Sequence, residues 1–206
     1  MTGSPAEHPL SAVPPGGFDA LYSGQPPWDI GRPQAAFAEL AEAGLIEGPV
    51  LDAGCGTGEH TLMCAARGLA ATGVDLAPTA LRAAEDKARE RGLAARFRRQ
   101  DARDLAGLGE TFATVLDCGL FHVFGGDDRA AYVASLHSVL RPGGRYFMLC
   151  FSDCQPGTMG PHRLTEAELR AAFAGGWRID SLEPATIEIT MDPAGVRAWL
   201  LAAARL

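Results

Sequence analysis

No stretch of about 18 apolar residues occurs anywhere in the chain, so a membrane-spanning helix is not expected. Positive charge is scarce as well: 18 Lys and Arg against 25 Asp and Glu leave a net charge of -7. A nucleic-acid partner is therefore not expected, because phosphate binding needs a clustered positive surface. The one basic run, Arg89, Arg91, Arg96, Arg98 and Arg99, falls at a helix end and on the outer face of a strand, the usual place for solvating charge. The five cysteines, Cys55, Cys64, Cys118, Cys150 and Cys154, are odd in number and include no C-x-x-C pair. They read as reduced thiols rather than a disulfide framework, and Cys150 and Cys154 lack a second ligand pair at zinc spacing, so no metal is expected. No basic segment followed by an apolar core stands at the N-terminus, and the protein is expected to be cytoplasmic and not exported. There is no internal repeat.

What is present fits one domain, since 206 residues can bury a single substantial core. Residues 1–17 carry Pro5, Pro9, Pro14, Pro15, Gly16 and Gly17 and are expected to be a disordered tail. Residues 18–206 form the domain, with segment 18–44 as an N-terminal lid: Phe18, Tyr22 and Trp28 sit among Pro and Gly, and a short amphipathic helix follows through Phe37, Leu40 and Ala41. Beyond Gly48-Pro49, strand patterns at 49–53, 70–74, 94–98, 112–117 and 144–151 alternate with helical patterns at 58–67, 78–91 and 127–140. Thr165-Glu166-Ala167-Glu168 is a capping-box signature opening a further helix. Residues 177–182 and 186–190 alternate like an antiparallel pair joined by a turn at Glu183-Pro184-Ala185, and Asp192-Pro193 reads as the start of a last helix to about Ala204. The expected architecture is a Rossmann-like α/β fold: seven strands, mostly parallel with an antiparallel C-terminal strand, and helices on both faces.

The most telling segment is Val50-Leu51-Asp52-Ala53-Gly54-Cys55-Gly56-Thr57-Gly58, which joins an apolar strand to a helix through alternating glycines. A pyrophosphate loop reads G-x-G-x-x-G, whereas the spacing here is G-x-G-x-G. The preceding Asp52 would repel a pyrophosphate but suits the cationic ammonium of a methionine moiety. In an open parallel sheet, ligands bind at the carboxyl ends of the strands. Those ends carry Asp52, Asp75 with Leu76, Asp101 with Ala102, and Asp117. Asp75 can accept both hydroxyls of a ribose, and Asp101 can take an adenine amine. Each acid alone could equally be a helix N-cap, but the set behind such a loop favours a cofactor. Cys118 reads as a packed residue rather than a nucleophile.

These segments, with Gly73-Val74-Asp75, Gln100-Asp101-Ala102 and Leu140-Arg141-Pro142-Gly143-Gly144, resemble the ordered motifs of class I S-adenosylmethionine-dependent methyltransferases over residues 45–151. Upstream, Pro27-Trp28-Asp29-Ile30-Gly31-Arg32-Pro33-Gln34 resembles the entry segment of the thiopurine, thiol, halide and tellurite-type enzymes and of bacterial heterocycle methyltransferases, including small actinobacterial enzymes acting on quinol-like compounds. The resemblance implies that Gly54, Gly56 and Gly58 lie against the methionine part of the cofactor, that Asp75 holds the ribose, that Asp101 and Ala102 meet adenine, and that Trp28 helps close the pocket. It also implies a small substrate, because no larger substrate domain is inserted.

Methyl transfer from a sulfonium asks the protein mainly to align donor and acceptor and to exclude water. Whether a base is needed depends on the acceptor, and His122 and Asp153 are the candidates. Phe18, Tyr22, Phe121, His122, Phe124 and Met159 are the candidate substrate wall, while His137 and His162 read as a helix-face and a loop residue. The expected reaction is methylation of N, S or O on a small aromatic or heterocyclic molecule by a monomer, a homodimer being the alternative. A nicotinamide-dependent oxidoreductase and a non-catalytic S-adenosylmethionine-binding sensor remain open at this point.

Overall fold

Seven strands form one sheet in the order β3-β2-β1-β4-β5-β7-β6 in the computed structural model, which describes residues 17–158 and 160–206. Of the expected tail, residues 1–16 lie outside the described residues, and so does Met159. The strands are β1 Val50–Ala53, β2 Ala71–Asp75, β3 Ala95–Arg99, β4 Phe112–Cys118, β5 Leu140–Phe151, β6 Trp177–Ile189 and β7 Asp192–Arg205. Strands β1 to β5 pair in parallel, and β7 runs antiparallel to both β5 and β6. The helices are α1 Ala35–Glu42, α2 Glu59–Ala66, α3 Pro78–Glu90, α4 Gly126–Val139 and α5 Glu166–Ala172. Pro78 opens α3 at its first turn, where the missing N–H is no loss, and Thr165 and Glu168 form the expected capping box of α5.

The central strands are buried on both sides, and their alternation feeds two cores. Leu51, Val115 and Met148 point to a cluster with Tyr132 and Leu136 of α4 and Leu169 of α5. Val50, Leu116 and Leu149 point to a second with Phe37 of α1 and Met63 of α2. This two-sided burial is what a doubly covered parallel sheet requires.

The C-terminal region differs from the sequence reading. Glu183-Pro184-Ala185 makes no turn: β6 runs straight through it, with Pro184 opposite Trp199. Proline is tolerated there because β6 is the sheet edge, where a strand needs only one partner. The chain reverses instead at Thr190-Met191, and the segment expected to be a last helix is β7. Its Ala and Leu residues favour helix by only a few tenths of a kcal/mol each. Pairing to β5 on one side and β6 on the other, with Ala198, Leu201 and Ala203 buried, overrides that preference. Asp192 turns its side chain to the Ala194 amide at 2.9 Å without starting a helix.

Strand order reverses between β1 and β4, since β2 and β3 extend to one side and β5 to the other. The crevice above their carboxyl ends is where such sheets hold ligands.

Candidate active site

A cavity of about 700 Å³ opens at that crevice, lined among others by Gly54, Gly56, Asp75, Leu76, Asp101 and Ala102. The glycine loop forms its floor. The Gly54 and Cys55 amides both donate to the Val74 carbonyl at 2.9 Å, tying the loop to β2. Gly58, expected at the cofactor, is not among the lining residues: it takes φ +84°, and a Cβ there would stand 2.8 Å from the Ala84 Cβ, so only glycine allows α2 and α3 to approach this closely.

The four strand-end acids separate into two pairs. Asp75 lines the cavity and accepts from the Gly56 amide (2.9 Å) and the Ala77 amide (2.8 Å); its burial raises its pKa against those bonds. Asp101 also lines it. It caps the 3-10 turn Ala102–Leu108 through the Arg103 amide, and the Arg103 guanidinium, 2.6 Å away, holds its carboxyl below the usual range. Asp52 and Asp117, expected at the cofactor, are not among the lining residues. Asp52 accepts from the amide (3.0 Å) and hydroxyl (2.7 Å) of Thr61, fastening β1 to α2, and burial pushes its pKa up to about 6. Asp117 is fully enclosed: one oxygen takes the Leu120 and Phe121 amides, the other the hydroxyls of Tyr132 (2.9 Å) and Tyr146 (2.7 Å). Burial likewise pushes it up to about 6.

Segment 18–34 roofs the cavity with Phe18, Tyr22 and Trp28. Trp28 donates its indole N–H to the Tyr22 hydroxyl at 3.1 Å and meets Phe18 and Tyr22 edge-on. Polar links hold this roof down. Asp19 accepts from the Thr79 amide at 2.7 Å at the start of α3, and Asp29 accepts from Thr57 of the glycine loop at 3.0 Å. Arg32 makes a two-pronged pair with Glu188 of β6. The Gln34 amide donates to Nε2 of His60, a cavity-lining histidine that the sequence reading did not single out. Nothing in a lone helical His marks such a link.

Beyond the glycine loop the cavity continues to His122, Phe124 and Phe151 and to the β6–β7 hairpin, whose Ile187, Ile189 and Val196 add an apolar wall. The hairpin contribution was not legible while 192–204 read as helix. His122 is buried, and its Nδ1 accepts from the Phe151 amide at 3.0 Å. Burial lowers its pKa to about 3. Asp153, the other expected base, is exposed and does not line the cavity: the chain turns there, with its amide bonded to the Leu164 carbonyl. Phe121 is not part of the wall either, because it is fully buried and stacks on Phe173 at 5.5 Å. His162, read as a loop residue, does line the cavity, with Nε2 2.8 Å from Glu168.

Residues 50–144 match a family model described as a methyltransferase domain. The chain is 37% identical over 186 residues to the 2-heptyl-1-hydroxyquinolin-4(1H)-one methyltransferase of Mycobacteroides abscessus, a match covering 85% of this chain and 82% of that protein. The chain belongs to the S-adenosylmethionine-dependent methyltransferases. A solved structure described as the conversion of a disulfide bond into a thioacetal group during echinomycin biosynthesis shares 43% identity, covers 91% of both chains and superposes with a TM-score of 0.84. The magnesium protoporphyrin IX methyltransferase of Synechocystis with bound S-adenosylhomocysteine, 23% identical over 84% of this chain and 81% of its own, shares the fold with a TM-score of 0.67. The methyltransferase cofactor is S-adenosylmethionine. The residues present suit it: Asp75 faces the cavity with the Gly56 amide on one oxygen and the Ala77 amide on the other, and its carboxylate has acceptor capacity left for a ribose hydroxyl. Among the described residues no helix is long and apolar enough to cross a membrane, and no group of three His, Cys, Asp or Glu could hold a metal ion.

Proposed function

We propose that this methyltransferase transfers the methyl group to N, S or O of a small, flat, aromatic or heterocyclic molecule of secondary metabolism, acting as a cytoplasmic monomer. One observation carries the reading: the cavity runs unbroken from the ribose-binding end at Asp75, under the roof of Phe18, Tyr22 and Trp28, to a chamber walled by Phe124, Phe151, Ile187, Ile189 and Val196. That chamber has aromatic and aliphatic walls with His122, His162, Arg129 and Glu168 among them, which suits a small flat acceptor with a polar edge rather than a protein or RNA. The hydroxyquinolone named for the Mycobacteroides relative is an acceptor of this kind.

When bound, S-adenosylmethionine supplies an already activated methyl group on a cationic sulfur. In this reading Asp75 holds the ribose, Asp101 and Ala102 receive the adenine with Leu76 against its face, and Gly54 to Gly58 pass close to the methionine part. Trp28 and Tyr22 close over the donor and keep water out. The Asp19–Thr79 and Asp29–Thr57 links join the roof to the cofactor floor, so closing the roof and ordering the floor are one event. Alignment of this sort is worth roughly 7–11 kcal/mol of barrier.

Calorimetric titration with S-adenosylhomocysteine, then turnover of methyl-labelled cofactor against thiols, phenols and N-hydroxy or aza heterocycles, tests the proposal. Methylation of a flat heterocycle supports it. Cofactor binding with no methylation anywhere in the panel would instead favour a sensor.

A further inference from the structure

Two histidines line the acceptor end of the cavity, and the structure leaves them different chemistry. Nδ1 of His122 accepts from the Phe151 amide, so in the neutral ring the proton must sit on Nε2. His122 therefore offers the cavity a donor, and its basic nitrogen is blocked by the main chain. His162 is held the other way. Its Nε2 lies 2.8 Å from the Glu168 carboxylate, which places the proton on Nε2 and leaves Nδ1 with a free lone pair. Glu168 is itself fixed. Its second oxygen accepts from the Thr165 amide and hydroxyl, both at 2.8 Å, in the capping box of α5. A carboxylate that orients a histidine, and is in turn oriented by a third group, is the build of a general base.

The carboxylates elsewhere on the cavity have partners, and Nε2 of the third lining histidine, His60, accepts from the Gln34 main-chain amide. Glu59 is paired with Lys87 and Arg91, Asp101 with Arg103, and Asp29 accepts from Thr57. Asp75 sits at the ribose end, and burial pushes the Cys55 and Cys118 thiols up.

We propose that His162, oriented by Glu168, is the general base of the reaction, and that His122 is a hydrogen-bond donor to the acceptor molecule. The inference rests on the methyltransferase reading above. The acceptor X–H gives its proton to Nδ1 of His162, the pair left on X forms the new bond to the methyl carbon, and the carbon–sulfur pair returns to sulfur as a neutral thioether. The half-exposed His162 then passes its proton to solvent. The charged and titratable groups around it are Glu168 of α5, Arg129 of α4 with a nitrogen 3.9 Å from Glu168, the neighbouring Arg163, and His122 across the cavity.

The test pairs acceptors of graded acidity with three variants. With a phenol of ordinary acidity, wild-type kcat/KM should rise with pH to a plateau as the base gives up its proton. His162→Gln should lose that limb and fall by about 10²-fold, while an acceptor already ionised at pH 7 is barely affected. Glu168→Gln keeps a residue that the capping box accepts, so the fold should hold while the limb weakens. His122→Phe should slow all acceptors alike and leave the limb in place. Nitrogen-15 spectra of the histidine rings, recorded without turnover, should find His162 protonated on Nε2 when neutral. A His162 ring protonated on Nδ1, or a limb that disappears in His122→Phe and survives in His162→Gln, would overturn the assignment. Loss of S-adenosylhomocysteine binding or of all turnover in the wild type would count against the function instead, since the ring spectra are read independently of it.

Discussion

Asp52 and Asp117 end the two central strands of the sheet, whereas Asp75 and Asp101 end or follow the two outer ones, and the four carboxylates have been put to different use. The inner pair is 0–1% exposed and holds neighbouring elements to the sheet. The outer pair faces the cavity. Thr61 reaches Asp52 from α2, and Tyr132 and Tyr146 reach Asp117 from α4 and β5, so these acids meet donors of their own chain before any ligand. Among the described residues no such hydroxyl covers Asp75, which takes only main-chain amides and reaches the crevice. The strand end alone therefore does not make an acid a ligand; the side-chain donors within reach decide.

The comparison breaks most visibly at Asp117. Asp117→Ala strands two tyrosine hydroxyls and two amides in the core, and the free energy of unfolding should fall by about 3–5 kcal/mol. Urea denaturation followed by circular dichroism measures it. A loss under about 1 kcal/mol would mean that the inner acids are not structural. At Asp75 the loss should appear in binding. Asp75→Ala is expected to weaken S-adenosylhomocysteine affinity by about 1.5–3 kcal/mol, two charge-assisted bonds being lost. Calorimetry reads this directly, and unchanged affinity removes Asp75 from the ribose.

Much of this arrangement was legible in the chain where the cause is local. The glycine loop, Pro78 at the start of α3 and the Thr165–Glu168 capping box each depend on a few neighbouring residues, and the structure has the elements they announce. What was not legible depends on distant partners. Asp117 is enclosed because Tyr132 and Tyr146 converge on it from 15 and 29 residues away. The Ala- and Leu-rich stretch 192–205 becomes a strand because β5 and β6 offer edges on both sides. Val196 joins Ile187 and Ile189 in the apolar wall only because that stretch pairs as β7. The orientation of His162 depends on Glu168, which has an oxygen to spare beyond its cap.

A third contrast lies in pH. Burial raises the Asp117 pKa from 3.8 to about 6 in the folded state, so the folded protein binds that proton more tightly than the unfolded chain. Its contribution to stability is full below the unfolded value, about 4, and is lost as pH rises through about 6. Asp117→Asn removes that contribution, and relative to wild type the variant should lose about 1 kcal/mol more stability on acidification from pH 6 to pH 5. Asp101 has the opposite sign, because Arg103 lowers its folded pKa: its contribution is present above the unfolded value and is lost on acidification. Urea midpoints at both pH values for wild type and Asp117→Asn check this, and parallel slopes would deny the inner acid its raised affinity for protons.

The smallest effect is expected at Asp101. Its carboxylate is one-third exposed and shared with Arg103, which also pairs with Asp128 at 2.7 Å, so part of its charge is already answered within the protein. Asp101→Asn should weaken S-adenosylhomocysteine binding by only about 0.5–1 kcal/mol, since an exposed acceptor is replaced by one that water can supplement. The informative quantity is selectivity. If Asp101 accepts from the adenine amine, wild type should prefer S-adenosylhomocysteine over its inosine analogue, whose 6-oxo group faces the carboxylate as a second acceptor. The Asn side chain can turn its amide to donate to that oxygen, so the preference should shrink in the variant. A preference that survives unchanged would mean that Asp101 serves only as the cap of its 3-10 turn, and the outer pair would then reduce to Asp75 alone.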